Sequence, residues 1–295
     1  MKEKLTKIIL PFILISTCFL LTYSSFYWLF FIRLKLVNLN NNIFGFFVPI
    51  GISTILIWFY FRKKLQLLDT TDKHREFTLF ISWILLTAPV FTFQFYLERE
   101  TGELTQLKNV EEILTNKPTM YYAIENSLQH KNKSGLYVAK TSVDRGNEIG
   151  IGCYFTCPLT NANDSAFNKF IWIGTMFDDK FSNRILDDKE KQSKLISKFI
   201  DSSIILYGKY EYKTTFLKRL SNSDERDDYL KAIQQTNIPY DNENLIILKE
   251  ETGNYRSRVG TSLWWTIFTF ITSNITWTLL TIFTKLKHNG KKNFL

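Results

Sequence analysis

The chain has 295 residues, 45% hydrophobic and 22% charged, which is length enough for more than one domain, and its net charge of +9 would suit a nucleic-acid partner. The placement of that charge excludes one: Glu98 to Arg258 carries 23 Lys/Arg against 24 Asp/Glu. The whole basic excess therefore sits beside long apolar runs, where membrane insertion and anionic headgroups favour it, and not in a patch that could follow a phosphate backbone.

Four runs lack any charged side chain: Ile8 to Ile32, Ile43 to Phe61, Phe77 to Leu97 and Gly260 to Thr284. A helix needs about 20 such residues to cross a hydrocarbon core of roughly 30 Å. The pattern predicts a polytopic α-helical membrane protein with four transmembrane helices, at about 8–32, 43–61, 77–97 and 260–284. An extracytoplasmic α+β domain occupies 98–259, and a basic cytoplasmic tail 285–295. The first run starts as a secretory signal does, in "KLTKIILPFILISTC", but continues for 14 residues past Cys18. That is longer than a signal's apolar region, so a retained span is expected. Pro49 and Gly51 in the second run and Pro89 in the third predict kinks or loosened turns. Gln94, near the end of the third, is expected to find interfacial water or a neighbouring helix. No ionisable residue lies within a run, which argues against proton relay or ion-coupled transport.

Orientation follows from the lysines and arginines. Lys2, Lys4 and Lys7, then Arg62, Lys63, Lys64, Lys73 and Arg75, then Lys285, Lys287, Lys291 and Lys292 fall on one side. Only Arg33 and Lys35 fall in the short loop on the other. Positive charge stays inside, so both termini are expected in the cytoplasm of a plasma-membrane protein.

In the middle segment, "GELTQLKNVEEILTN" suggests a helix. "TMYYAIENSLQ", "GLYVAKTSV", "IGIGCYFTC" and "FNKFIWIGTMF" read as strands with turn signals such as "DRGNE" between them. "LDDKEKQSKLISKFIDSSIILYG" is a helix with Leu195, Ile196, Phe199 and Ile200 on one face, stopped by Gly208. A second helix starts at Asn222 or Ser223 with acids in its first turn. "NLIILKE" is a closing strand.

Candidates for chemistry are few. Ser262, behind Gly260 and Thr261 in "GTSLWW", would need a base within reach to act as a nucleophile. The histidines, His74, His130 and His288, all lie outside the runs, and Leu263 stands where a Gly-x-Ser-Gly motif has its second glycine. Packing explains the residue better. Ser262, Thr266, Thr269, Ser273 and Thr276 recur every three or four positions, a candidate helix-packing face of small hydroxyl side chains. The seven-residue repeat predicts a left-handed crossing. The alternative is that these hydroxyls point into lipid and bond their own backbone. Asn274, beside the stripe, could bond a neighbour, and Trp264 and Trp265 would anchor the helix at an interface. Cys153 and Cys157 are a candidate disulfide only if a turn or bulge breaks "CYFTC", because on a straight strand they stand about 13 Å apart. Two cysteines and a distant His130 do not make a zinc set. The acid pairs Asp178/Asp179, Asp187/Asp188 and Asp227/Asp228 are read as solvated caps flanking helix starts. No phosphate loop, dinucleotide fingerprint or HExxH occurs, and no metal or cofactor is expected.

Several stretches carry a resemblance: "FQFYLERETGELTQL", "MYYAIEN", "WIGTMFDDKFSNRILDDKEKQ" and "FLKRLSNSDERDDYLKAI". Together they resemble the N-terminal region that precedes the protease domain in a group of bacterial rhomboid-family proteins, from the first span to about residue 280. In that arrangement spans flank an extracytoplasmic domain and the proteolytic bundle follows. The chain ends at Leu295 without such a bundle, so protease activity is not carried over. The expected function is non-enzymatic: a membrane protein, set in the lipid bilayer, that presents an extracytoplasmic binding or accessory domain. Its expected partner is a protein, or a second copy met through the last helix, and the resemblance implies a separately encoded rhomboid-type protease. The alternative is an envelope enzyme with its site in the outer domain.

Overall fold

The computed structural model describes residues 2–33, 43–162, 170–182, 189–212, 216–241, 244–251 and 253–287. The chain forms two compact units, Met1–Thr101 with Arg256–Leu295, and Gly102–Tyr255. The helices, in chain order, are α1 (Lys2–Arg33), α2 (Ile43–Leu65), α3 (Asp72–Thr101), α4 (Glu112–Thr115), α5 (Lys189–Lys209), α6 (Asp224–Gln234) and α7 (Ser262–Ile282).

Among the described residues, α1, α2 and α3 are long and apolar enough to cross a membrane. The sequence predicts a fourth such helix. α7 is present and uncharged over 21 residues, but eight Ser/Thr and Asn274 dilute its hydropathy below that of the other three. Large apolar side chains point outward in this unit, among them Trp58, Phe59, Phe80 and Trp264, while Ser16, Ser53, Ser82, Thr87 and Thr266 are buried. That is the reverse of a bundle stabilised by withdrawing apolar surface from water.

Trp277 of α7 is fully buried among three helices. Its ring stacks on Phe12 at 4.3 Å and meets Phe61 edge-on at 5.7 Å. Pro49 falls where a π-helical turn, Ile43–Phe47, gives way to α geometry, and Pro89 is buried inside the unbroken α3. Beyond α7 the chain makes an antiparallel bridge, Leu68 to Leu286, with the Asp69 N–H donating to the Lys285 carbonyl at 2.7 Å. Lys4 Nζ donates to the Ile282 carbonyl at 2.8 Å and so satisfies a terminal carbonyl of α7.

The unit 102–255 is a mixed sheet. Its strands are β1 (Leu104–Asn109), β2 (Tyr121–Asn126), β3 (Leu128–Gln129), β4 (Gly135–Val143), β5 (Glu148–Thr160), β6 (Ile171–Ser182), β7 (Leu217–Arg219) and β8 (Ile246–Glu250). The order is β1-β2-β7-β8-β6-β5-β3, with β4 also on β5. The β1/β2 and β6/β8 pairs are parallel and the rest antiparallel.

Alternation along the strands gives the sheet two apolar faces. Cys157, Ile171, Ile173, Ile246 and Leu248 pack on one with Ile113 of α4. Trp172, Leu245 and Ile247 pack on the other with Tyr229 and Ile233 of α6. α5 buries Ile196, Ser203 and Tyr207, with Tyr207 stacked on Phe155 at 4.4 Å.

Three local expectations change. The helix read in "GELTQLKNVEEILTN" is β1 followed by the single turn of α4. Leu104 and Leu107 have a helical spacing, but in-register pairing with β2 overrides it. α5 runs through Gly208 to Lys209. Asp178 and Asp179 lie within β6 and flank no helix start. β7 has no counterpart in the sequence reading, being three residues long. Ser223 is the cap of α6, its hydroxyl accepting from the Arg226 N–H.

Gly135 and Gly208 should respond oppositely to alanine. A Cβ on Gly135 would lie 1.9 Å from the Ala232 backbone carbonyl oxygen, whereas one on Gly208 meets nothing within 4 Å. Gly135→Ala should cost about 3 kcal/mol or more by overpacking. Gly208→Ala should stabilise by up to about 1 kcal/mol through helix propensity. Thermal unfolding of the full chain measures both, and matching midpoints would contradict the close seat of α6 on β4.

Candidate functional site

Ser262 is buried, and its hydroxyl donates to the Val259 carbonyl at 2.5 Å. His74 is exposed at the start of α3, the His130 Nε2 pairs with Thr160 Oγ1 at 2.8 Å, and His288 lies outside the described residues. Among the described residues no histidine pairs with Ser262, whose proton is committed to a backbone carbonyl.

The hydroxyl line on α7 packs inside its own unit. Ser262, Thr266 and Ser273 are buried, and Thr269 is half-buried with its Oγ1 2.9 Å from Thr92 Oγ1 of α3. Thr276 is half-buried, and the buried line continues through Trp277 and Thr281 instead. Thr266 and Thr281 also donate to carbonyls one turn back, so bonding to their own backbone and packing coexist.

Further neutral pairs join the remaining helices. Ser16 of α1 donates to Asn274 Oδ1 at 3.2 Å, Ser53 of α2 meets Thr87 of α3 at 2.8 Å, and the Trp83 indole donates to Thr54 at 3.0 Å. Gln94 is buried in α3, and its Nε2 has no hydrogen-bond partner among the described residues. Trp264 and Trp265 are exposed on the first turn of α7.

In the sheet unit, the candidate disulfide is not formed. Cys153 and Cys157 are free and buried on one face of β5, which is paired without a break to β6. Cys153 stands opposite Phe177 and Cys157 opposite Ile173, so no bulge brings the thiols together.

Around Cys157 lies a cluster that draws on distant parts of the chain. Lys131, in the turn after β3, donates to the Tyr207 carbonyl at 3.2 Å and to the Tyr210 carbonyl, at the C-terminal end of α5. Its ammonium lies 5.4 and 5.8 Å from the Tyr207 and Tyr212 ring centres. Thr175 donates to the Tyr212 hydroxyl at 2.7 Å, and the Tyr210 hydroxyl donates to Glu250.

Burial pushes the Cys157 thiol up to about 11, and the Tyr207 phenol and Lys131 ammonium pull it back only in part. Burial also raises the Tyr207 and Tyr212 phenols well above their ordinary value, and Tyr210 to about 12. At neutral pH the thiol and phenols are therefore protonated, without thiolate or phenolate to attack a substrate. The Lys131 donors satisfy carbonyls at a helix end.

The opposite face has a second aromatic group. Tyr154 meets Tyr229 edge-on at 5.1 Å, and Tyr229 lies over Gly174, where a Cβ would come within 2.6 Å of its ring. Lys231 pairs with Asp228 at 2.8 Å and sits 4.7 Å from the Tyr137 ring centre. Burial, and then the charges of Asp228, Glu225 and Asp178, raise the Tyr154 phenol to about 12. Asp227 and Asp228 lie in α6, with Asp227 in its first turn, while Asp187 and Asp188 lie outside the described residues. No group of three or more His, Cys, Asp or Glu among the described residues could hold a metal ion.

Sequence reasoning passed over Lys131, Tyr207 and Tyr212, and no local signal could have found them, since residues 131, 157, 175, 207 and 212 meet only through the sheet.

Two outcomes follow from the Cys157 environment. In unreduced native protein, Cys153 and Cys157 should resist alkylation near pH 8 and react fully once denatured; thiols still blocked in denaturant would mean a disulfide. The second outcome concerns pH. The folded pKa of Cys157 lies above its ordinary 9.0, so its contribution to stability is complete below pH 9 and is lost as pH rises through about 11. The loss should be about 3 kcal/mol in denaturant titrations, and Cys157→Ala should flatten the slope. No protein-family model, curated protein or solved structure matches this chain.

Proposed function

We propose that this protein is a multi-pass plasma-membrane protein that presents residues 102–255 outside the cytoplasm as a non-catalytic binding or accessory domain. In this reading α1, α2, α3 and α7 all span the bilayer, and both termini are cytoplasmic. The observation that carries it is the chemistry joining the helices. The contacts Thr92–Thr269, Ser16–Asn274, Ser53–Thr87 and Thr54–Trp83 are all between neutral groups, while the carboxylates that join helices, Glu76 to Arg62 and Glu98 to Tyr27, stand just outside the apolar runs. Burial keeps the Cys157 thiol and the Tyr207 and Tyr212 phenols protonated at neutral pH, so this one cluster supplies no anionic nucleophile.

The hydroxyl line of α7 is engaged with α3 inside the chain, so a partner protein would meet another surface. A rhomboid-type protease, implied by the resemblance in the sequence, is the first partner to test.

The orientation is tested by an impermeant maleimide on intact cells, using the full chain with Cys18→Ala. Lys117→Cys should label and Lys73→Cys should label only after permeabilisation; the reverse pattern overturns the topology. Cross-linking in native membranes should then recover a rhomboid-type protease in near-equal amount, and recovery of the protein alone would remove the accessory role.

A further inference from the structure

Six large apolar side chains are exposed among the described residues of 102–255, and four of them, Leu195, Ile204, Ile205 and Leu206, are on α5. Ile205 is 58% and Leu206 54% exposed, in a helix whose opposite face is already packed on the sheet. α6, on the other side of the sheet, exposes none. The charge on α5 is equally uneven. It carries five lysines against Glu190 and Asp201, whereas the rest of 102–255 carries 15 Lys/Arg against 20 Asp/Glu.

Helical spacing joins these two features. Lys194 and Lys198 stand eleven and seven residues before Ile205, and Lys209 four after it, which puts them in one outward stripe together with Asp201 and Glu190, so that lysines outnumber acids there three to two. Leu195 and Leu206, also eleven apart, form the adjoining stripe. Lys194 pairs with Glu190 at 2.8 Å, both side chains about three-quarters exposed, where an ion pair contributes little.

An isoleucine flanked by lysines, bordered by two leucines, suits the boundary between anionic headgroups and acyl chains. The apolar side chains enter, and the lysine stems lie along the surface with their ammonium groups at the phosphates. The chain also supplies the lipid. α3 ends at Thr101, where this unit begins, and α7 starts at Ser262, shortly after it ends at Tyr255. A unit tethered at both ends to membrane-spanning helices meets a bilayer surface at high effective concentration.

We infer that α5 is a membrane-surface helix, docking the sheet unit onto anionic lipid through Ile205, Leu206, Leu195 and the lysines around them. This rests on the membrane reading proposed above.

The test uses the full chain with Cys18→Ala in lipid nanodiscs and an environment-sensitive fluorophore on Ile205→Cys, Ile55→Cys or Lys117→Cys. Quenchers are a doxyl lipid and aqueous iodide. In discs containing phosphatidylglycerol, position 205 should be quenched by the lipid probe, as position 55 is, and position 117 by iodide. In phosphatidylcholine discs the quenching by lipid at 205 should fall. Lys194→Gln and Lys198→Gln should each lower the docking equilibrium about fivefold. Iodide quenching at 205 matching that at 117, with 55 still quenched by lipid, overturns the docking and leaves the membrane reading intact. Shielding of 205 from both quenchers also overturns it, because protein would then cover the helix. Loss of lipid quenching at 55 overturns the membrane reading and the docking together.

Discussion

Thr92 and Thr269 meet hydroxyl to hydroxyl across α3 and α7, and the helical unit depends on contacts of this kind. Helices whose outer faces are apolar gain little by hiding apolar surface from one another when lipid is the alternative. They associate through close packing of small side chains and through hydrogen bonds that lipid cannot replace. Ser262, Thr266 and Ser273 give α7 a narrow face, so its backbone can approach α3. Trp277 then fills the wider space between Phe12 and Phe61. The hydroxyls of Ser262 and Thr266 would be costly to bury without the carbonyls they donate to.

The same rule operates in the sheet unit with different materials. There the end of α5 is packed through the stack of Tyr207 on Phe155, and a lysine from a distant turn satisfies its carbonyls. The Lys131 ammonium also lies near the Tyr207 and Tyr212 rings, which places its charge beside an aromatic surface.

The legible parts of this chain were those with a long or regular signal. The helices of the first unit are visible because charge is absent over 19 residues or more, and β4 and β5 because β-branched and aromatic residues alternate between turn signals. The hydroxyl line was legible up to Ser273. Beyond it the buried line moves from Thr276 to Trp277, because a straight helix drifts against a seven-residue repeat. β1 misled because Leu104 and Leu107 carry a helical spacing that only pairing with β2 overrides. The Lys131 cluster could not be read at all, since its members are brought together by strand order and not by spacing.

The paired ends of the sheet unit also bear on how the chain assembles. The Tyr255 hydroxyl donates to the Gly102 carbonyl at 2.5 Å, across 153 positions of sequence. An unstructured loop of that length would oppose the meeting of α3 and α7 with a closure entropy of about 4 to 5 kcal/mol. Folding of the insert removes most of that penalty in advance, by bringing its two ends together. Docking of α7 on α3 then becomes a local event, and damage to the sheet would appear first as a last helix that fails to find its place.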